Sequence, residues 1–232
     1  MAGNDARGRT PLSLVGQDPD LLFYTRQATG QGGPVLVLGA ANGRVPWTLA
    51  QAGLTVVGVD PSERMIHVAE EARASESPEV SGRVRLLHAD PRSLRLEERF
   101  SVVLAPQHAL GLMSSHEDLE AFLSTVRHHL LPDGLFVYDV LNPSSPPAPS
   151  SPDEPGAPSE PRRPTFSFHL RERKRPGVPT AGIHRLKFKP FSWEELEEAM
   201  KASGLTPRER YGGFDGKPFD PADAHHIGVV DG

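Results

Sequence analysis

From Pro34 onward the chain alternates short, continuously apolar runs with amphipathic stretches. Val35–Leu38 is the first run, stopped by Gly39, and Val45–Ala52 after it is helical in pattern. Leu54–Val59 is a second run, closed by Asp60, and Ser62 is placed to cap a helix over Glu63–Ala74. Val84–Leu87 and Phe100–Ala105 are a third and a fourth. Glu117–Leu130 carries Leu119, Phe122, Leu123, Val126 and Leu130 on one helical face. The turn Pro132-Asp133-Gly134 then leads into Leu135–Val140. Apolar runs of this length between helices predict parallel strands buried on both faces. The expected fold is an α/β, Rossmann-like sheet with helices on both faces. Its ligand site would lie beyond the carboxyl ends of the strands.

Both flanks read differently. Residues 1–17 are small and polar and are expected to be disordered. Asp18–Ala28 predicts a short helix with Leu21, Leu22 and Tyr24/Thr25 as its stripe and aspartates at its positive end. Residues 143–164 hold nine prolines and no large apolar side chain, so they predict a flexible loop. Phe166, Phe168 and Leu170 alternate, as do Leu186 and Phe188, which predicts an inserted hairpin over 165–186 with a basic tip at Arg171–Arg175. Ser192 and Glu195 form a capping box for a helix over Trp193–Ala202, ended by Gly204. Thr206–Tyr211 and Ile227–Val230 are the last two strands. One domain is expected, made of residues 18–142 and 187–232.

Composition narrows the chemistry. In 232 residues there is no cysteine, which removes disulfides, thiolate metal sites and a cysteine nucleophile. The net charge of −5 argues against a phosphate-backbone binder, so no nucleic-acid partner is expected. No apolar run reaches a membrane span, and MAGNDARGRT has no apolar stretch behind it, so a cytoplasmic protein without a secretory signal is expected. Neighbouring histidines, His128-His129 and His225-His226, point apart on regular elements, so no shared metal ion is expected. Phe191, Trp193 and Phe188 are expected in the core.

The informative stretch is VLVLGAANGRVPWTLAQAGLTVVGVD, residues 35–60. A strand runs into a glycine turn, then a helix, then a strand ending in an acid. The turn and helix N-terminus offer backbone N–H groups, and Asp60 is placed to accept from ribose hydroxyls. A dinucleotide fingerprint needs glycine where Ala41 and Arg44 stand. S-adenosylmethionine has no phosphate and tolerates a looser turn. A second acid, Asp90, suits an adenine amino group.

These segments resemble the class I S-adenosylmethionine-dependent methyltransferases of the small-molecule type. The likeness runs through DLLFYTRQATGQGGPVLVLGAANGRV, GVDPSERMIHVAEEA, RVRLLHADPRSLRLEERFSVVLAPQHALGLM and FVYDVLNP, and resumes in FSWEELEEAMKASGL and YGGFDGKPFDP. The resemblance implies a seven-stranded sheet whose last strand is antiparallel, and S-adenosylmethionine as cofactor. It implies that Tyr24 closes over the methionine end and that Gly39, Ala40 and Gly43 form the loop beneath the cofactor. Asp60 would hold the ribose, with Pro61 and Met65 against the adenine and Asp90 and Pro91 bracketing it. Pro106, Gln107 and His108 would line the sulfonium side, with His108 the candidate general base. The family's acid-x-Gly-x-Gly-x-Gly reads Val37-Leu38-Gly39-Ala40-Ala41-Asn42-Gly43, so its acid and middle glycine are missing. The expected activity is methyl transfer to a small-molecule oxygen or nitrogen acceptor. The alternative is a non-catalytic pseudoenzyme module that binds cofactor weakly or not at all and acts through a protein partner.

Overall fold

A computed structural model describes residues 18–143, 165–167, 185–187 and 191–232. The expected disorder of residues 1–17, the proline-rich loop from residue 144 on, the basic tip and Phe188 lie outside the described residues.

The apolar runs become a seven-stranded sheet in the order β3-β2-β1-β4-β5-β9-β8. Its strands are β1 (Val35–Leu38), β2 (Val56–Asp60), β3 (Val84–His88), β4 (Phe100–Ala105), β5 (Leu130–Leu141), β8 (Thr206–Tyr211) and β9 (His225–Asp231). The first five are mutually parallel, and β9 runs antiparallel to both β5 and β8. Strands β1, β2 and β4 and the second half of β5 are buried almost without interruption, as two-sided covering demands. Strand β3 departs from that expectation: it is the sheet edge, and only Val84 in it is buried. In the insertion, β6 (Thr165–Ser167) pairs antiparallel with β7 (Arg185–Lys187).

The helices are α1 (Pro19–Gln31), α2 (Arg44–Gln51), α3 (Glu63–Arg73), α4 (Pro78–Ser81), α5 (His116–His129) and α6 (Trp193–Ala202). Their ends follow local chemistry. Pro19 opens α1 and Gly32, at φ +93°, closes it. Ser62 and Ser115 cap α3 and α5, and Ser192 with Glu195 forms the full capping box on α6. The stripe of α1 differs in one place, since Phe23 is buried and Leu22 only half-buried. The short α4 and a 3₁₀ turn over Ala109–Leu112 are not apparent in the apolar pattern.

Alternate residues of the central strands feed two cores. Leu36, Val103 and Phe136 pack with Phe122 of α5 and Met200 of α6. Val37, Leu104 and Val137 pack on the other face with Tyr24 of α1 and Val45 of α2. Phe191 is core, whereas Trp193 is half-buried beneath the Arg210 guanidinium, 4.7 Å from its ring. No helix among the described residues is long and apolar enough to cross a membrane.

Candidate active site

The carboxyl ends of the parallel strands form one mouth. The sheet order sets Asp90, Asp60, the glycine loop, His108 and Asp139 side by side along it, at or just past the ends of β3, β2, β1, β4 and β5 respectively. Strands lie about 4.8 Å apart, so Asp60 and His108 stand about two strand spacings from one another.

The β1–β3 side of the mouth is built mostly of backbone. After β1, Gly39 at φ +90° turns the chain, and the Gly39 and Ala40 N–H groups both donate to Val59 O. Gly43, at φ +83°, leads into α2, and a Cβ there would fall 2.8 Å from Ala69 Cβ and 2.9 Å from Trp47. Asp60 holds the loop from β2. Its Oδ2 accepts from Ala41 N at 2.8 Å and its Oδ1 from Ser62 N at 2.9 Å. Burial raises the Asp60 carboxyl above its ordinary range, against the lowering pull of those two N–H groups. Each carboxylate oxygen keeps acceptor capacity beyond its one backbone N–H. Pro61 and Met65 follow directly, and the Met65 N–H donates to the Ser62 hydroxyl. The missing glycine has a visible consequence: Ala41 sits at φ +46°, in the left-handed region. The missing acid has another. Val37 is fully buried in the same core as Tyr24 and Leu104.

Asp90 is less open than its sequence position suggests. The Arg92 side chain donates to both of its oxygens, and the resulting ion pair lowers the Asp90 carboxyl. Arg92 also reaches Asp118 at 2.5 Å, in the first turn of α5. Pro91, next to Asp90, is buried.

The β4–β5 side of the mouth is built of side chains. Past β4, Pro106 is buried, and Gln107 and His108 take positive φ of +56° and +61° in succession. Four non-glycine residues have positive φ among the described residues, and three of them, Ala41, Gln107 and His108, stand at this mouth. Strain of that kind collects where a site needs it. The turn aims the His108 N–H at Asp139 Oδ2, 3.3 Å away. It also sets the ring's Nδ1 2.9 Å from the same oxygen, at ion-pair distance but off hydrogen-bond alignment. Asp139 is 2 % exposed, and the Tyr24 hydroxyl donates to its Oδ1. Burial, followed by the Asp139 charge, drives the Tyr24 phenol well above its ordinary value, so it remains a donor. His225, at the start of β9, stacks on His108 with ring centroids 5.6 Å apart. Burial, then the His108 charge, lowers its imidazole.

The structure brings Gly39, Ala40, Gly43, Asp60, Gln107 and His108 to this mouth, and Tyr24 faces Asp139 and is fully buried. Asp139 and His225 escape a sequence reading. An aspartate inside FVYDVL, a run expected to be buried on both faces, is the signal that marks Asp139. His225 and His226 do face opposite sides of β9: His225 packs on His108 and Phe214, and His226 on Tyr138 and Phe219.

Known proteins resemble this chain in sequence segment and fold. Residues 35–134 match the family model described as a methyltransferase domain. Cypemycin N-terminal methyltransferase from a Streptomyces species is 30 % identical over 113 residues, 49 % of this chain and 44 % of that relative, so the match spans less than half of the relative's length. Among solved structures, the CcbJ methyltransferase from Streptomyces caelestis superposes with a TM-score of 0.72 at 24 % identity, over 96 % of this chain and 99 % of its own. The glycopeptide N-methyltransferase MtfA, solved with S-adenosyl-L-homocysteine, gives 0.65 at 20 % identity, over 96 % and 98 %. At those identities the superpositions speak for the fold. Residues 35–134 thus match a methyltransferase domain, and the sheet order around them is the fold of these methyltransferases.

Proposed function

We propose that the protein transfers a methyl group from S-adenosylmethionine to a small-molecule acceptor, with an amine nitrogen preferred to a hydroxyl oxygen. The observation that carries this reading is the Asp60 carboxylate at the end of β2, tied to the loop at Ala41 and retaining acceptor capacity for a ribose. The donor set fits the cofactor, because the loop offers close backbone approach and holds no cation for a pyrophosphate: Arg44 is engaged by Asp20 and Asp18. The Gly39–Gly43 loop would lie beneath the cofactor, Pro61 and Met65 against its base, and Asp90 near the amino group, shared with Arg92. Two relatives act on nitrogen according to their names, which supports an amine acceptor.

When bound, S-adenosylmethionine supplies a methyl group already activated on a sulfonium. The chain's own work is then positioning and proton handling. His108, with Nδ1 on Asp139, would take at Nε2 the proton that the acceptor gives up. Catalytic hydrogen bonds are commonly misaligned before substrate arrives. Asp139 orients the imidazole, and Tyr24 fixes Asp139. Pro106 and Gln107 shape the entry.

A second reading, a module that has retired from catalysis, draws support from Val37 and Ala41. Incubation with methyl-labelled S-adenosylmethionine and a panel of primary and secondary amines separates the two. Label transfer above an Asp60→Ala control supports the enzyme. Cofactor binding without transfer to any amine, alcohol or lysate small molecule supports the module.

A further inference from the structure

Arg44 is the first residue of α2, directly after Gly43. A helix N-terminus is where a cation is least favoured. Its guanidinium reaches back to the first turn of α1, with both terminal nitrogens on the two oxygens of Asp20 and one of them also 3.2 Å from Asp18 Oδ2. This planar two-point pair is mostly shielded, with the Arg44 and Asp20 side chains 27 % and 17 % exposed. Such pairs fix orientation as well as distance. Helix α1 lies along β4 and β5: its last residue, Gln31, donates to Asp133 O at the base of the sheet, which leaves its first turn at the mouth. Asp20 and Tyr24 are four residues apart and share one helix face. A polar line therefore runs from the glycine loop through Arg44 and Asp20 to Tyr24, then to Asp139 and His108.

We propose that Arg44 and Asp20 are positioning residues that pin the first turn of α1 to the glycine loop, so that cofactor exchange requires this pair to open and Tyr24 to withdraw from Asp139. The proposal rests on the cofactor reading above. The pair holds the two helix starts that flank the loop, and the cofactor's methionine end would sit between the loop and Tyr24. A bound cofactor is then released only when α1 lifts, and the same lift frees the Asp139 oxygen that Tyr24 holds.

The test compares wild type, Asp20→Asn, Asp20→Glu and, as a control, Glu79→Gln, which breaks the Arg83–Glu79 surface pair on α4. Dissociation of S-adenosylhomocysteine is followed by stopped flow, and hydrogen exchange is followed at residues 22–25. Loss of one charge-assisted pair predicts dissociation about tenfold faster in Asp20→Asn, near-wild-type rates in Asp20→Glu and no change in Glu79→Gln. Exchange at residues 22–25 is expected to rise in Asp20→Asn while the melting temperature holds within a few degrees. Wild type that binds the nucleoside, with a dissociation rate that Asp20→Asn leaves unchanged, overturns the proposal. If wild type binds no S-adenosylhomocysteine, the cofactor reading is what fails. Exchange then decides the pinning alone: unchanged protection of residues 22–25 in Asp20→Asn overturns it, and lost protection sustains it.

Discussion

The two halves of the mouth are made of different material. On the β1–β3 side, the shape of the mouth is set by glycine conformations and by one carboxylate that ties two backbone N–H groups. On the β4–β5–β9 side it is set by Tyr24, His108, Asp139 and His225, drawn from four separate stretches of chain. A backbone-built half depends on what side chains leave out. A side-chain half depends on what they reach. The two should therefore fail differently: damage to the first removes cofactor, and damage to the second removes turnover while cofactor stays.

The largest expected effect tests the first half. Asp60→Ala removes one charge-assisted acceptor from the loop at Ala41 and one from the start of α3 at Ser62, as well as the proposed ribose contacts, each worth roughly 1.5–3 kcal/mol, so S-adenosylhomocysteine affinity should fall by about two decades or more. Gly43→Ala should do comparable damage, since its Cβ would meet Ala69 and Trp47 under 3.0 Å at a positive φ. Titration calorimetry reads both. Binding retained in Asp60→Ala would break the comparison, because the loop would not then depend on its carboxylate.

Next come His108→Ala and Asp139→Asn. General-base assistance accounts for about 10²–10⁴ in rate, so turnover should drop within that range while cofactor affinity moves only a few-fold. Equal losses in binding and turnover would merge the two halves into one.

This division also explains what could be read in advance. The strand runs, the capping serines and the Gly39–Asp60 spacing are local signals, and local signals carry the sheet and the cofactor half. Asp139 gains its meaning from Tyr24, 115 positions away, and His225 from a ring that only the antiparallel pairing of β9 with β5 brings near. The edge position of β3 is likewise a matter of strand order, which an apolar run does not encode.

A pH effect must be separated from catalysis. His226 lies 2 % exposed on the face of β9 away from His225, and burial pulls its imidazole down to about 4. Its unfolded value is near 6.5, so the unfolded chain binds the extra proton first. Stability is then full above about pH 6.5 and is lost as pH falls toward 4, by up to about 3 kcal/mol. Urea unfolding from pH 7.5 to 4.5 should show this slope, and His226→Leu should flatten it. A slope unchanged in His226→Leu would assign the loss elsewhere. Burial lowers the His225 imidazole as well, so His225→Asn should also flatten the slope, by less than His226→Leu.

The smallest effect is the sharpest for the comparison. Ala41 occupies a left-handed conformation that costs a non-glycine residue about 1–2 kcal/mol, and its N–H must stay there to meet Asp60 Oδ2. Ala41→Gly removes that strain and keeps the donor, although the glycine also gives the unfolded chain more freedom, which offsets part of the gain. A rise in stability of up to about 1 kcal/mol is expected, with cofactor binding tightened a few-fold and turnover of the loaded enzyme unchanged. Val37→Glu should not behave in the same way. It would set a carboxylate at a fully buried position among Leu104 and Tyr24, and should destabilise unless the loop reopens around it. Ala41→Gly improving cofactor affinity without touching turnover would mean that backbone alone limits the first half. If it speeds turnover of the loaded enzyme instead, strain at the glycine loop is transmitted across the mouth to His108, and the two halves are mechanically one.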